Sequence, residues 1–255
     1  MTALPMTAPP RLELKHLRQQ FGELPVLADI SLAVQAGEFV SILGPSGAGK
    51  STILQLLTGA VASDGGQMLF DGAPLSGKRH PFAFMPQRDA LLPWRHIIDN
   101  ATLGLEVQGM SRKAARARVE PLLAEFGLEG FAHHYPAQLS GGMRQRAALL
   151  RTVVQQRAML LLDEPFGALD ALTRARMQRW LAGMWTRHRW TVLLITHDVR
   201  EAVLLSDRIY LLSPRPARVL RQFDLPFEHP RPPSGSPALA AAEAEILNTL
   251  LLLEE

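Results

Sequence analysis

A glycine-rich segment at residues 44–52 constrains this chain more than any other stretch, and it reads Gly44-Pro45-Ser46-Gly47-Ala48-Gly49-Lys50-Ser51-Thr52. The apolar run before it, residues 38–43, predicts a buried strand, and residues 53–58 predict a helix. This is the context of a phosphate-binding loop, in which backbone N–H groups and a helix N-terminus surround a phosphate. Lys50 would reach the outer phosphates and the Ser51 hydroxyl would ligate Mg²⁺. The segment therefore predicts nucleotide binding.

Composition narrows the class of protein. The chain has 255 residues, of which 47% are apolar and 20% charged, as in globular proteins with a substantial core. It has no cysteine, which excludes disulfides and thiolate chemistry. No uncharged apolar run approaches the ~18 residues of a membrane span, and residues 1–10 lack the pattern of a secretory signal. The net charge of +3 is spread along the chain, so we expect no nucleic-acid partner.

The remainder of the chain predicts an α/β core with a helical insertion. Residues 88–150 are rich in Arg, Ala and Leu and predict helices, one of them capped by Ser111 and running over residues 112–126. Apolar runs predict strands, and an Ala- and Leu-rich run predicts a last helix at residues 238–252. The predicted strands lie at residues 12–14, 30–34, 67–70, 81–86, 159–162, 191–196 and 207–212, with turns at 65–66 and 71–72 around the third.

Two further segments carry candidate site residues. Ser140, Gly141 and Gly142 precede a predicted helix, where they form either a second anion site or an ordinary helix cap. Asp163 and Glu164 follow a buried strand, so Asp163 could hold Mg²⁺ through water and Glu164 could activate an attacking water.

Phe21 and His197 are candidates with two interpretations each. Phe21 is placed in a loop before the phosphate loop, where it either stacks on an adenine or fills the core at a strand end. His197 follows a strand and either donates to a phosphate oxygen or is structural. The two adjacent histidines at residues 133–134 lack further ligands at metal-binding spacing, so we expect no metal there.

The order of these motifs resembles the ATP-binding cassette (ABC) ATPases over residues 11–212. The resemblance implies ATP and Mg²⁺ as ligands. It implies that Phe21 stacks on adenine, that Gln87 senses Mg²⁺ and the attacking water, and that Glu164 is the catalytic base. It also implies that Asp163 is the Mg²⁺-associated aspartate, Asp170 a loop aspartate at a dimer seam, and His197 a switch residue on the γ-phosphate.

The resemblance implies a P-loop NTPase (RecA-like) core with an N-terminal antiparallel β subdomain and an inserted α-helical subdomain. We expect five segments. They are a disordered lead-in at 1–10, the first part of the core with the β subdomain at 11–87, the helical subdomain at 88–150, the second part of the core at 151–212, and a Pro-rich tail with a C-terminal helix at 213–255.

The family resemblance also implies partners. Two ATPase subunits, identical or paired, meet head to tail, so that Ser140 and Gly142 of one close on the phosphate held by Lys50 of the other. The expected partners are permease subunits and, indirectly, a periplasmic or lipid-anchored substrate-binding protein. The expected place is the cytoplasmic face of the inner membrane.

The segment from Gln87 to Trp94 is similar to bacterial importers of the nitrate, sulfonate and taurine group, and Arg151-Thr152 favours a carrier of thiamine precursors within it. Leu91, Leu92 and Trp94 are candidates for the groove that receives a permease helix, with core packing as the alternative. A small-molecule P-loop kinase, a soluble ABC ATPase and an exporter are the rival interpretations.

Overall fold

The computed structural model describes residues 9–75, 81–231 and 236–252, and all but the last two residues of the predicted lead-in lie outside these ranges. The strands are β1 Leu12–Phe21, β2 Leu24–Val34, β3 Phe39–Leu43, β4 Gly65–Phe70, β5 Ala73–Pro74, β6 Phe82–Met85, β7 Met159–Asp163, β8 Val192–Thr196, β9 Arg208–Leu212 and β10 Ala217–Asp224. The helices are α1 Lys50–Leu57, α2 Ile97–Val107, α3 Arg112–Val119, α4 Leu122–Glu125, α5 Gly141–Val153, α6 Ala171–His188, α7 Val199–Leu205 and α8 Pro237–Leu251, with a short 3-10 helix at Pro136–Gln138.

The chain divides into two compact units, the first made of residues 1–80, 189–228 and 234–255. Its strands follow the order β5-β4-β1-β2-β10-β9-β3-β8. Strands β3, β8 and β9 are parallel, and every residue of β3 and β8 is buried, as their largely apolar sequences predict. Leu43 pairs with Thr196, so the phosphate loop and His197 leave the same edge of this sheet.

Strands β1 and β2 are longer than the sequence predicts, and Phe21 is the last residue of β1 rather than part of a loop. The apolar alternation stops after Leu14 because the β1–β2 register shifts between Leu14 and Leu17, which marks a bulge. His16 lies within the bulge with φ of 50°. An alternating pattern cannot predict a strand across such a break.

The C-terminal tail returns to the first unit. Residues 217–224 of the predicted Pro-rich tail form strand β10, which pairs with β9. Helix α8 buries Leu239 and Ile246 in a core cluster that includes Val203 of α7. The predicted C-terminal helix is confirmed, and it packs on the body of its own unit.

The second unit comprises residues 81–188 and 229–233. Its strands β6 and β7 are parallel, and Met85 pairs with Leu162. Gln87 follows β6 and Asp163 is the last residue of β7, so both lie at the same edge of this strand pair. Helices α2, α3, α4 and α5 lie between these two strands in sequence, so residues 88–150 are mainly helical as predicted.

The single helix predicted over residues 112–126 is wrong. Ser111 caps α3 as expected, its Oγ accepting a hydrogen bond from Ala114 N at 3.4 Å, but α3 ends at Val119. Pro121 lacks the N–H that would continue the helix. A separate short helix, α4, follows.

A buried carboxylate organises the helices of the second unit. Asp99 of α2 is 2% exposed and receives two hydrogen bonds each from Arg112 and Arg116 of α3, at 2.7–3.3 Å. Burial by itself would raise the pKa of Asp99, but the hydrogen bonds and charges of the two arginines lower it below 3.8. This ion cluster fastens α3 to α2.

We expect Asp99→Asn to lower the free energy of unfolding by about 1–3 kcal/mol at neutral pH, because the hydrogen bonds are charge-assisted and the carboxylate is buried. The pKa of Asp99 is lower in the folded state than the ordinary value of 3.8, so this stabilisation is present at pH values above 3.8. It is lost as the pH falls through the pKa of the folded state. Urea unfolding at several pH values measures it.

Asp71→Asn is the matched control. Its ion pair with Arg11 is solvent-exposed, so its loss should change stability by less than about 1 kcal/mol. Equal effects of the two variants at neutral pH would contradict the role of Asp99.

Candidate nucleotide site

The phosphate loop lies between β3 and α1, and its glycines adopt conformations that other residues avoid. Gly47 and Gly49 have φ of 78° and 92°. A Cβ on Gly49 would lie 2.8 Å from Val26 Cγ1 and 2.9 Å from Leu27 Cδ2, both on β2. Only glycine fits there without displacing β2. The loop therefore enters α1 with the helix N-terminus open to an anion.

Lys50 begins α1 and is 6% exposed. Its Nζ donates to the backbone oxygens of Gly44 at 2.8 Å and Pro45 at 2.9 Å. The ammonium group is thus held within the loop. Ser46, Gly47 and Ser51 are exposed, whereas Gly44 and Ala48 are buried and Thr52 is half-buried. This arrangement provides cationic and N–H donors for a polyphosphate.

His197 and Phe21 also belong to the first unit. His197 is exposed directly after β8, and Asp198 caps α7 through a 3.0 Å hydrogen bond from Glu201 N. Thr196 Oγ1 accepts from Asp198 N at 3.0 Å, so the backbone on both sides of His197 is fixed. Phe21 is 45% exposed, which shows that the core alternative for it is wrong.

The second unit brings Gln87 and Glu164 together across 77 positions of sequence. Gln87 Nε2 donates to Glu164 Oε2 at 3.2 Å. Asp163 ends β7, and Glu164 follows with φ of 42°, a left-handed conformation that costs a non-glycine residue about 1 kcal/mol or more. Gly167 N donates to the Glu164 backbone oxygen at 3.1 Å and closes this turn. Backbone strain at a carboxylate is typical of functional sites.

The Ser-Gly-Gly segment caps α5, as one of its two interpretations requires. Ser140 Oγ accepts from Met143 N at 3.3 Å. Cβ atoms built on Gly141 and Gly142 would lie 3.2 Å from Leu169 Cδ2 and 3.0 Å from Thr173 Cγ2. The glycines thus let α5 approach the start of α6 closely. The side-chain cap satisfies one N–H of the first turn and leaves the others without an intrahelical partner, so the cap is compatible with an anion site.

Asp170 lies at that close approach. Its Oδ1 accepts from Thr173 N at 3.0 Å, and Arg174 N donates to its backbone oxygen at 2.8 Å, which makes it the cap of α6. The hydrogen bond from the Thr173 backbone lowers the pKa of Asp170, so its carboxylate is ionised at neutral pH.

Two arginines with structural roles at the site were not predicted from the sequence. Arg151 of α5 donates to the backbone oxygens of Asp89 and Ala90, both at 2.6 Å. Arg144, also on α5, lies 3.2 Å from Asp89 Oδ2. They fasten the segment after Gln87 to α5. The contacts span about 60 positions of sequence, and no local pattern marks them.

Two features are absent from residues 9–75, 81–231 and 236–252. Within them, no group of three or more His, Cys, Asp or Glu side chains could hold a metal ion. No helix in the same ranges is long and apolar enough to cross a membrane.

Comparison with known proteins assigns the family. The ABC transporter family model matches residues 27–167. The chain is 47% identical over 245 residues to the aliphatic sulfonates import ATP-binding protein SsuB 2 of Pseudomonas aeruginosa, covering 96% of this chain and 86% of that protein. It is 42% identical over 216 residues to the taurine import ATP-binding protein TauB of Yersinia pestis, covering 85% of each.

Solved structures support the same family assignment. The dimeric structure of MJ0796, a bacterial ABC transporter cassette, superposes with a TM-score of 0.72 at 30% identity, covering 85% of this chain and all of that one. A post-hydrolysis state of the same cassette bound to ADP and Pi gives a TM-score of 0.71 at 29% identity, with the same coverage.

The fold and the phosphate loop define an α/β P-loop NTPase, which confirms the predicted fold class. The chain belongs to the ABC transporter family. It is an ATP-binding subunit and an ATPase, and the predicted resemblance is confirmed.

Proposed function

We propose that this ATPase powers the import of a sulfonate through a bacterial ABC transporter, bound to the cytoplasmic face of the membrane. The observation that carries the proposal is the 47% identity, over 96% of the chain, to a protein named for aliphatic sulfonate import. Taurine also bears a sulfonate group, so the second relative supports the same cargo class. These names favour a sulfonate over the thiamine precursor suggested by Arg151-Thr152, and import over export or a soluble role.

The predicted site residues are divided between the two units. Phe21, the phosphate loop and His197 belong to the first unit, and Gln87, Ser140–Gly142, Asp163, Glu164 and Asp170 to the second. In the proposed homodimer or pair of ATPase subunits, Ser140 and Gly142 of one subunit close on the phosphate bound by Lys50 of the other. The dimeric form of the MJ0796 cassette supports the pairing of two ATPase subunits. ATP then stabilises the closed dimer because only ATP completes both contacts.

Hydrolysis follows from the side chains already described. The Glu164 carboxylate accepts a proton from the attacking water, and Gln87, hydrogen-bonded to it, orients that water. The loop N–H groups, Lys50 and His197 donate to phosphate oxygens as charge develops on them. Phe21, exposed at the end of β1, stacks on the adenine. Asp170 keeps the start of α6 fixed beside the Ser-Gly-Gly cap.

Ser51, Gln87 and Asp163 fit Mg²⁺, because a hydroxyl, an amide and a carboxylate all present oxygen atoms, the donors that this ion prefers. Ser51 would bind it directly and Asp163 through water. When bound, Mg²⁺ neutralises charge on the phosphates.

An exposed surface beside Gln87 suits the permease. Trp94 is 71% exposed, so core packing is wrong for it, whereas Leu91 is 7% exposed and does belong to the core. Asn100 fixes the segment between them, since its Oδ1 accepts from Leu92 N at 2.7 Å and its Nδ2 donates to Arg95 O at 3.0 Å. The anchored backbone presents Trp94 to solvent, and tryptophan is enriched in protein–protein interfaces. We assign this exposed surface to contact with a helix of the permease, with a substrate-binding protein acting on the far side of the membrane.

Complementation tests the proposed function. In the source organism, deletion of the gene should abolish growth on an alkanesulfonate or taurine as sole sulfur source and leave growth on sulfate intact. Wild type should restore growth and Glu164→Gln should not, because loss of the general base slows hydrolysis by about 10²–10⁴-fold while ATP still binds. The purified transporter's ATPase rate measures the same loss.

Glu129→Gln is the matched control, since Glu129 is an exposed carboxylate in the same unit and should complement fully. If the deletion strain grew normally on sulfonates and showed a defect on another nutrient, the proposal that the cargo is a sulfonate would be wrong. Full hydrolysis by Glu164→Gln would overturn the assignment of the base.

Trp94→Ala should leave ATP affinity unchanged within about twofold and reduce sulfonate uptake by the assembled transporter at least tenfold, because an interfacial aromatic contributes about 2 kcal/mol or more. Val107→Ala, at the 81% exposed end of α2, is the control and should transport normally. Equal losses of ATP binding and uptake in Trp94→Ala would show that Trp94 supports the fold instead.

A further inference from the structure

Arg215 contacts the phosphate loop from outside. Its Nε and Nη2 donate to the backbone oxygen of Gly47 at 2.9 and 2.7 Å. A Cβ built on Gly47 would lie 3.1 Å from Arg215 Nη2, so the guanidinium lies against the loop. Two hydrogen bonds from one cation to one carbonyl form a strong, directional contact. The family motifs named above do not include this residue.

The position of Arg215 is set by the strands around it. Strand β9 pairs with β3, Leu211 opposite Leu43, and the next residue, Leu212, lies against Gly44, where a Cβ would be 3.1 Å from Leu212 Cβ. The turn that follows is closed by Ser213, whose N donates to Arg218 O and whose Oγ accepts from Arg218 N, both at 3.0 Å. Arg215 is therefore presented to the loop from a fixed turn of the same unit.

The contact fixes the orientation of one peptide group. In a trans peptide the C=O and the following N–H point in opposite directions. Holding the Gly47 oxygen towards Arg215 therefore directs the Ala48 N–H to the other side, where Pro45 O accepts it at 3.2 Å within the loop. Gly47, with φ of 78° and no side chain, would otherwise rotate easily.

We infer that Arg215 is a positioning residue of the nucleotide site, which orders the Gly47–Ala48 peptide before a nucleotide binds. The inference rests on ATP binding by the phosphate loop and not on the cargo. Lys50 orders the carbonyls of Gly44 and Pro45 in the same way. Preorganising these groups lowers the entropy lost on binding, so Arg215 affects binding rather than the chemical step.

The test is nucleotide affinity and steady-state kinetics of Arg215→Ala, measured by calorimetry with ATP and ADP and by ATPase assay. We expect Kd to rise about three- to tenfold for both nucleotides, the range for an exposed charge-assisted contact. KM should rise with it and kcat should stay within about twofold. Arg215→Lys should recover only part of the affinity, because an ammonium lacks the planar fork.

Arg218→Ala is the matched control, since Arg218 is an exposed arginine of the same hairpin. It should bind both nucleotides like wild type. Unchanged affinity in Arg215→Ala would overturn the inference. So would a loss confined to ATP that Arg215→Lys fully restores, because the charge would then act on the γ-phosphate directly. Failure of wild type to bind ATP would instead refute the site itself.

Discussion

The packing around the phosphate loop is the constraint on which this structure depends. The loop must present N–H groups to an anion, and contacts with the surrounding chain fix the backbone conformation in which it can do so. Strand β2 closes on Gly49, Leu212 closes on Gly44, and Arg215 bonds to Gly47. These contacts come from β2, from the last residue of β9 and from the turn between β9 and β10, so the arrangement of these strands around β3 helps to shape the nucleotide site.

The second unit shows how a helix can be satisfied internally and still be available for binding. Ser140 caps α5 through its hydroxyl, and Gly142 allows α6 to pack closely beside it. A cap satisfies one donor of the first turn and leaves the others without an intrahelical partner. The same unit contains the strained Glu164, whose carboxylate already contacts Gln87. In the proposed dimer, a phosphate supplied by the other subunit would meet donors that need little rearrangement.

The sequence predicted most of the fold because its buried parallel strands are largely apolar and its phosphate loop follows one of them. It failed where the pattern is interrupted, at the bulge near His16 and at Pro121, which divides one expected helix into two. The family resemblance predicted roles for Gln87 and Glu164 at the attacking water, and in the structure a hydrogen bond joins these two side chains. Arg151 and Arg215 could not be found in this way, because each acts on backbone oxygens far away in sequence. A side chain that bonds to backbone requires no particular partner residue and leaves no motif.

The central claim is that each subunit carries two incomplete parts of the ATP site and that ATP joins two subunits. Its most direct test is the molar mass of Glu164→Gln in solution, measured by light scattering with and without ATP, with bound nucleotide quantified in the same sample. The account predicts a monomer without nucleotide and a dimer with ATP, reverting to monomer when ADP replaces it. A protein that binds ATP stoichiometrically and stays monomeric would contradict the claim.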